Sequence, residues 1–223
     1  CSSDLAVAAA DRLIDEMSIE RDSIDLVIYM SQTPDYRQPA SAAIIQHRLG
    51  LRKSIGAFDV NMACSGYIYG LSTAFSYCNT IGINRVLLLV GETLSKIVSE
   101  DDRATSLLFG DGATATLIEK DPSGCEAVFS HNTDGSRHEV LLVEGGGYRN
   151  PSSLTTIDKK TYSDGSKRSM ENLYMDGMEV FNFTMSEVPK DIRNILLHCN
   201  KTIDDIDYLV FHQANKIITD FII

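Results

Sequence analysis

The chain has 223 residues, of which 43% are apolar, so it can bury one substantial core or two fused smaller ones. Acidic residues outnumber basic ones by 31 to 20, which opposes binding to nucleic acid or to an anionic membrane surface. The sequence contains no run of about 18 apolar residues and no secretory signal pattern, which predicts a cytoplasmic protein.

Strands and helices alternate along the first 121 residues. The pattern predicts a helix over 4–17, with Asp4 as its N-cap and a buried face formed by Leu5, Ala8, Ala9, Leu13 and Met17. It then predicts a strand over 24–30, a helix over 40–50, a strand over 57–63, a helix over 65–80 and strands over 84–92 and 110–121. This order is typical of a mainly parallel sheet with helices on both faces, which is the α/β class.

The later part of the chain changes in composition. Residues 131–168 are rich in Gly, Ser, Asn and charge, which predicts long surface excursions. A long helix over 175–200, a strand over 206–213 and another helix follow. Because IDLVIYMSQ at residue 24 and IDYLVFHQ at residue 206 are alike, we interpret 1–168 as one complete α/β half and 169–223 as the start of a second.

The five cysteines are odd in number and widely spaced, and none forms a C-x-x-C pair, so neither a disulfide framework nor a zinc cluster is predicted. The turn containing Asp101, Asp102 and Arg103 is predicted to be solvated, with a local ion pair at most. It lacks further ligands at metal spacing, so no metal site is predicted. The glycines of GDGATAT (110–116) are predicted to serve close packing, since the motif lacks the spacing and the Lys of a phosphate-binding loop.

One cysteine lies where a predicted strand passes into a predicted helix. Cys64 follows AFDVNMA, and the apolar face of the next helix is predicted to contain Ile68, Leu71, Ala74, Phe75 and Cys78. The amides and the dipole of a helix N-terminus stabilise a thiolate, which predicts a lowered pKa and a nucleophilic sulfur. The small neighbours Ala63, Ser65 and Gly66 would let a carbonyl group approach the sulfur. A cysteine that only packs at this junction is the alternative.

A histidine closes the last predicted strand. His212 lies in DYLVFHQAN, and the carboxyl end of a parallel strand is the usual place for a ligand-facing group. A neutral imidazole there can donate a hydrogen bond to a developing oxyanion or accept a proton from a thiol. With Cys64 it predicts the Cys/His pair of covalent acyl transfer, whereas a structural histidine is the alternative. Glu92, at the end of a buried strand, is either near that site or a structural carboxylate.

The order of several motifs carries a family resemblance. The segments are SAAIIQHRLGL, FDVNMACSGYIYGL, LLLVGETLS, DDRATSLLFGDGATATLI, MDGMEVFNF and FHQAN. In this order and at about this spacing they resemble the thiolase superfamily, and most closely the beta-ketoacyl-acyl carrier protein synthase III group. The combination of ACSG with a later FGDGA and HQAN is specific to that resemblance.

The resemblance implies a thiolase-like, five-layered αβαβα fold built from two similar halves, with the second half incomplete here, and a homodimer. It implies an acyltransferase of fatty acid biosynthesis that loads an acyl group from acyl-coenzyme A onto Cys64. The acyl group is then condensed with malonyl-acyl carrier protein, with release of carbon dioxide. His212 is the implied catalytic partner, and Asn215 is an implied contact for coenzyme A. Coenzyme A thioesters are substrates here, so no resident cofactor is implied.

The sequence also departs from the family pattern. Family members extend further at both ends, and their catalytic asparagine and glycine-rich C-terminal loop follow the HQAN motif. A chain limited to these residues is therefore expected to be incomplete and inactive alone. Ile217 stands where many members carry Arg, and the loop around Gln38 differs, so carrier-protein docking and acyl chain length stay open.

Two other functions stay open at this point. One is a thiolase-fold acyltransferase of secondary metabolism or glycan modification, with an amine or a hydroxyl group as the acceptor. The other is a non-catalytic thiolase-like subunit that binds acyl thioesters or a partner chain.

Overall fold

The computed structural model describes residues 1–124, 126–214 and 216–222. It contains two compact units: unit 1 is formed by Cys1–Leu94 with Gly110–Ala127, and unit 2 by Ser95–Phe109 with Val128–Ile223. These units are not the two similar halves that the sequence predicts. The predicted boundary between those halves, at residue 168, stays a prediction. Within the described residues, no helix is both long enough and apolar enough to cross a membrane.

Unit 1 is an α/β sandwich around a four-stranded sheet. Its elements in chain order are α1 (Ser2–Glu16), β1 (Leu26–Met30), α2 (Ser41–Arg48), β2 (Gly56–Val60), α3 (Gly66–Cys78), β3 (Arg85–Thr93) and β4 (Asp111–Glu119). The strand order is β2-β1-β3-β4; β1 pairs in parallel with both β2 and β3, and β4 pairs antiparallel with β3. The predicted α/β class and the mainly parallel sheet are confirmed.

Alternation along the central strands builds two cores, one on each face of the sheet. On one face, Val27, Tyr29 and their neighbours from β3 pack against α1 and α2. On the other face, Ile28 and Leu88 pack against α3. All five residues of β1 are buried, which explains why this strand is an uninterrupted apolar run.

Helix α1 buries a different side from the predicted one, and its predicted N-cap is wrong as well. The helix begins at Ser2, and Asp4 lies in its first turn; its buried residues are Ser2, Ser3, Ala6, Val7, Ala10 and Ile14. Leu5 and Met17 are exposed. The helix carries apolar residues on two sides, and the side with Ala6, Val7, Ala10 and Ile14 packs on the sheet.

The predicted face of α3 is right for Ala74 and Cys78, which are buried, and wrong for Ile68 and Phe75. Gly66, Gly70, Ala74 and Cys78 are its buried residues, and a Cβ at Gly70 would lie 2.6 Å from Leu88 Cδ1. The small residues thus bring α3 close to β3. The larger residues Tyr67, Ile68, Phe75 and Tyr77 are exposed instead.

The loop between β1 and α2 is anchored from a neighbouring strand. Asp59 in β2 accepts hydrogen bonds from the backbone amides of Ser41 at 2.6 Å and Ala42 at 2.7 Å. The N-cap residue of α2, Ala40, makes no side-chain capping bond. Asp59 therefore satisfies the first amides of a helix that its own sequence leaves uncapped.

The glycines of GDGATAT do not serve close packing. A Cβ placed on Gly110 or Gly112 would meet no atom within 4 Å, and neither residue has a positive φ. The prediction of a packing role is therefore wrong for these two positions. In unit 1 the pair flanks Asp111, the first residue of β4.

Unit 2 contains one long helix and several short elements. These are β5 (Leu141–Leu142), α4 (Leu154–Ile157), β6 (Lys160–Thr161), β7 (Lys167–Arg168), β8 (Tyr174–Met175), α5 (Gly177–His198) and α6 (Lys216–Ile222). Asp176 caps α5 by accepting from the amides of Met178 and Glu179. The long helix over 175–200 is confirmed.

A buried ion pair holds part of unit 2 together. Asp102 is 1% exposed, and Arg168 lies with Nη1 at 3.2 Å from its Oδ2. The guanidinium group also stacks on the rings of Tyr162 and Tyr174, at 3.9 Å and 4.8 Å from the two centroids. The predicted solvated turn is therefore wrong for Asp102, because its partner lies 66 residues away along the chain.

The predicted strand over 206–213 is absent. These residues have no regular secondary structure, and Tyr208 and Val210 are 87% and 93% exposed. A buried parallel strand takes its hydrogen bonds from neighbouring strands, and none lies beside this segment among the described residues of unit 2. The apolar run therefore lacks the surroundings that would make it a strand.

Candidate active site

Cys64 lies at the carboxyl end of the parallel strands of unit 1. It follows β2 in a turn in which the amide of Gly66 donates to the carbonyl of Ala63 at 2.7 Å. Ser65 is the N-cap of α3, so Cys64 lies two residues before Gly66, the first residue of the helix. The predicted position of the cysteine, just before a helix, is confirmed by this geometry.

The first turn of α3 keeps backbone donors near the cysteine. Ser65 makes no side-chain capping hydrogen bond, so its hydroxyl group does not occupy the first amides of the helix. Donors of this kind can bind an oxygen that becomes negatively charged during acyl transfer. The hydroxyl groups of Tyr67 and Thr116, 3.3 Å apart, connect this turn to β4.

The predicted lowering of the Cys64 pKa is wrong. Burial raises the pKa of the thiol above its ordinary value, and the negative charge of Glu92 raises it further. A hydrogen bond from the residue's own amide acts in the opposite direction. The side chain is accessible to solvent, yet the protein around it removes much of the water that would stabilise a thiolate. The sulfur therefore needs a proton acceptor to become a nucleophile near neutral pH.

Glu92 joins the ends of two neighbouring strands. Its carboxylate accepts from the amide of Gln32 and from the hydroxyl of Thr33, both at 2.7 Å. The amide of Thr93 donates to the same Thr33 hydroxyl at 2.9 Å. Both alternatives drawn from the sequence therefore describe Glu92, since it is a hydrogen-bonded carboxylate whose charge also acts on Cys64.

The sequence did not single out the partners of Glu92. Gln32 extends from the end of β1, and its Nε2 donates to Asn61 Oδ1 at 3.2 Å, three residues before Cys64. The signal that could have found Gln32 and Asn61 is their place directly after buried parallel strands, where ligand-facing groups gather.

His212 lies in unit 2, and its side chain is exposed on the irregular segment that precedes α6. Cys64 belongs to unit 1, so the pairing of the two side chains stays a prediction. The predicted contact at Asn215 lies outside the described residues. Among the described residues, no three His, Cys, Asp or Glu side chains gather as a metal site would require.

The fold and the sequence both match known proteins. A sequence profile described as 3-oxoacyl-[acyl-carrier-protein (ACP)] synthase III matches residues 58–135. A putative 3-oxoacyl-[acyl-carrier-protein] synthase 3 of Campylobacter jejuni is 36% identical over 222 residues, which are 100% of this chain and 62% of the relative. A beta-ketoacyl-[acyl-carrier-protein] synthase III of Caldanaerobacter subterraneus is 36% identical, over 98% of this chain and 63% of the relative.

Solved structures give the same result. A crystal structure of a 3-oxoacyl-(acyl-carrier-protein) synthase III superposes with a TM-score of 0.96 at 38% identity, over 99% of this chain and 66% of the other. The synthase III of Thermus thermophilus has a TM-score of 0.82 at 32% identity, over 99% of this chain and 64% of the other. The chain thus spans somewhat under two thirds of the length of these relatives.

The sheet, its helix layers and the cysteine turn define a thiolase-like α/β protein. The sequence similarity indicates a narrower group within this class, because the profile, the relatives and the solved structures all carry the same description. Over nearly its whole length the chain is similar to 3-oxoacyl-[acyl-carrier-protein] synthase III proteins.

Proposed function

We propose that the protein is an acyltransferase that condenses an acyl-coenzyme A primer with malonyl-acyl carrier protein through an acyl-cysteine intermediate. The observation that carries this proposal is the position of Cys64, accessible in a turn between a parallel strand and a helix. The relatives whose names describe this type of synthase match the chain over nearly its whole length.

The first step is transfer of the acyl group to sulfur. The Cys64 thiolate attacks the thioester carbonyl of the primer, a carbon–sulfur bond forms, and coenzyme A leaves as its thiolate. Because burial raises the pKa of Cys64, the thiol proton needs an acceptor, and the neutral imidazole of His212 is the group that we propose for it. The departing coenzyme A thiolate can then take up this proton.

The second step forms the carbon–carbon bond. The malonyl group loses carbon dioxide, and the electron pair of the broken bond forms an enolate. We propose that His212 donates a hydrogen bond to this enolate oxygen. The carbanion attacks the acyl-Cys64 carbonyl, and the sulfur leaves as a thiolate. Uncharged donors suit this step, because a general acid nearby would protonate the carbanion.

The reaction can be tested on the protein expressed from its complete gene. Incubation with a panel of acyl-coenzyme A compounds is expected to add one acyl mass to the intact protein. Addition of malonyl-acyl carrier protein is then expected to remove that mass and to release carbon dioxide. Acyl transfer without carbon dioxide release would favour an amine or hydroxyl acceptor, and no adduct with any primer would favour a non-catalytic binding subunit.

Replacement of His212 by Ala is expected to separate the two steps. Loss of the hydrogen bond to the enolate is expected to slow carbon dioxide release by about a hundredfold. The acyl adduct should still form at high pH, where Cys64 ionises without help. His198→Ala, on helix α5 and outside any proposed chemistry, is the matched control. Unchanged carbon dioxide release in His212→Ala would contradict the role of this residue.

We also propose that the protein is a homodimer and that it works in the cytoplasm. Strand β4 supports the dimer, because it is nine residues long and lies at the edge of the sheet. Its seven central residues carry no charge, whereas protected edge strands usually contain charged residues or Pro. Two copies of one strand can pair antiparallel about a two-fold axis. Sedimentation equilibrium is expected to give twice the chain mass at micromolar concentration, and a single-chain mass would contradict the dimer.

A further inference from the structure

Three strand ends meet in one hydrogen-bond network next to Cys64. The network includes Glu92 near the end of β3, Gln32 and Thr33 after β1, and Asn61 after β2. The amide of Ser31 also donates to the carbonyl of Val60 at 3.1 Å, which continues the contact between β1 and β2. The segment that carries the cysteine is therefore fixed from the side by the neighbouring strands.

Glu92 is the member with the most contacts in this network. One carboxylate oxygen accepts from the Gln32 amide, and the other accepts from the hydroxyl groups of Thr33 at 2.7 Å and Ser31 at 3.5 Å. Gln32 is held through its backbone, and its side chain is free to extend to Asn61. Removal of the carboxylate would release the Gln32 backbone and so loosen the contact with Asn61.

The charge of Glu92 also acts on its surroundings. It raises the pKa of Cys64 in addition to the effect of burial. The titratable groups nearby are Tyr29 on β1, whose pKa is raised by burial and further by Glu92 and Asp35, and Asp111, which lies opposite Thr93 in β4.

We propose that Glu92 is a positioning residue of the acyl-transfer site: through Gln32 and Asn61 it fixes the turn that carries Cys64. This inference rests on the proposed role of Cys64 as the acyl acceptor. The carboxylate of Glu92 would then have two effects on the cysteine. The turn is held in a reactive geometry, while the resting thiol is protected from adventitious reaction with electrophiles.

Two variants separate the two effects. Glu92→Gln removes the charge and keeps the size of the side chain, so the Cys64 thiolate becomes easier to form. Iodoacetamide is expected to alkylate Cys64 about three to ten times faster at pH 7.5, with the midpoint of the pH profile shifted downward. Gln32→Ala removes the contact with Asn61 and keeps the charge, so kcat for acylation is expected to fall about tenfold with an unchanged alkylation profile.

The control is Glu119→Gln, which changes a carboxylate of β4 at the opposite end of the sheet, paired with Arg85. An alkylation profile in Glu92→Gln equal to that of the unchanged protein, or an equal shift in Glu119→Gln, would overturn the inference. The alkylation readout needs no acyl transfer. A shifted profile in a protein that is never acylated would therefore refute the proposed function alone, and normal acylation with an unshifted profile would refute the role of Glu92 alone.

Discussion

Replacement of Cys64 by Ala is expected to abolish the acyl adduct and to lower the condensation rate by at least about a thousandfold. The methyl group of alanine cannot form a thioester, so the acyl group has no carrier between the two half-reactions. The cysteine is accessible and lies two residues before the first residue of α3, so the substitution removes little packing. Intact-mass spectrometry and the rate of carbon dioxide release measure the two effects.

The matched control for this prediction is Cys199→Ser, since Cys199 is a partly exposed free thiol at the end of α5. It is expected to be acylated and to condense like the unchanged protein. If Cys64→Ala kept its acyl adduct, the acyl group would reside elsewhere. A loss shared equally by both variants would point to a general effect on folding.

Replacement of Ile28 by Ala is expected to lower the free energy of unfolding by about 2 to 5 kcal/mol. Ile28 is the middle residue of β1, is 0% exposed and packs in the core beneath α3. The shorter side chain leaves a cavity that the surrounding strands can close only in part. Chemical denaturation followed by far-ultraviolet circular dichroism gives the change in stability.

Ile81→Ala is the control, because it makes the same change of side chain at a position that is 98% exposed. It is expected to change the free energy of unfolding by no more than about 0.5 kcal/mol. A loss below about 1 kcal/mol in Ile28→Ala would contradict the described core. In that case the sheet would pack differently on this face.

The two central strands of unit 1 could be predicted because each contains an apolar run bounded by polar residues. The strand over 24–30 became β1, and the strand over 84–92 became β3. The buried faces of α1 and α3 could not be predicted in the same way. Both helices carry apolar residues on two sides, and the sequence pattern does not show which side the sheet covers. In α3 the covered side is the one with the small residues Gly66, Gly70 and Ala74.

The predicted strand over 206–213 shows that an apolar run alone does not make a strand. Its sequence closely follows that of β1, yet Val210 is exposed and the segment is irregular. β1 lies between two hydrogen-bonded neighbours, β2 and β3, whereas no described strand lies beside this segment. A strand propensity becomes a strand only where partners supply the hydrogen bonds.

The position of Cys64 ahead of a helix could be predicted, and the electrostatics around its thiol could not. The strand-to-helix junction in the sequence was enough to place Cys64 there. The raised pKa could not be predicted, since it depends on burial and on Glu92, which is 28 positions further along the chain. The contacts of Gln32 with Asn61 and Glu92 span 29 and 60 residues, and only the folded sheet brings these groups together.

The most direct test is to locate the acyl group after a single turnover without malonyl-acyl carrier protein. The protein is quenched with acid, digested and sequenced by tandem mass spectrometry. We expect the acyl mass on the sulfur of residue 64, and its disappearance when malonyl-acyl carrier protein is added before the quench. Condensation that proceeds with the acyl group on another residue, or with no acyl group on the protein, would contradict the mechanism.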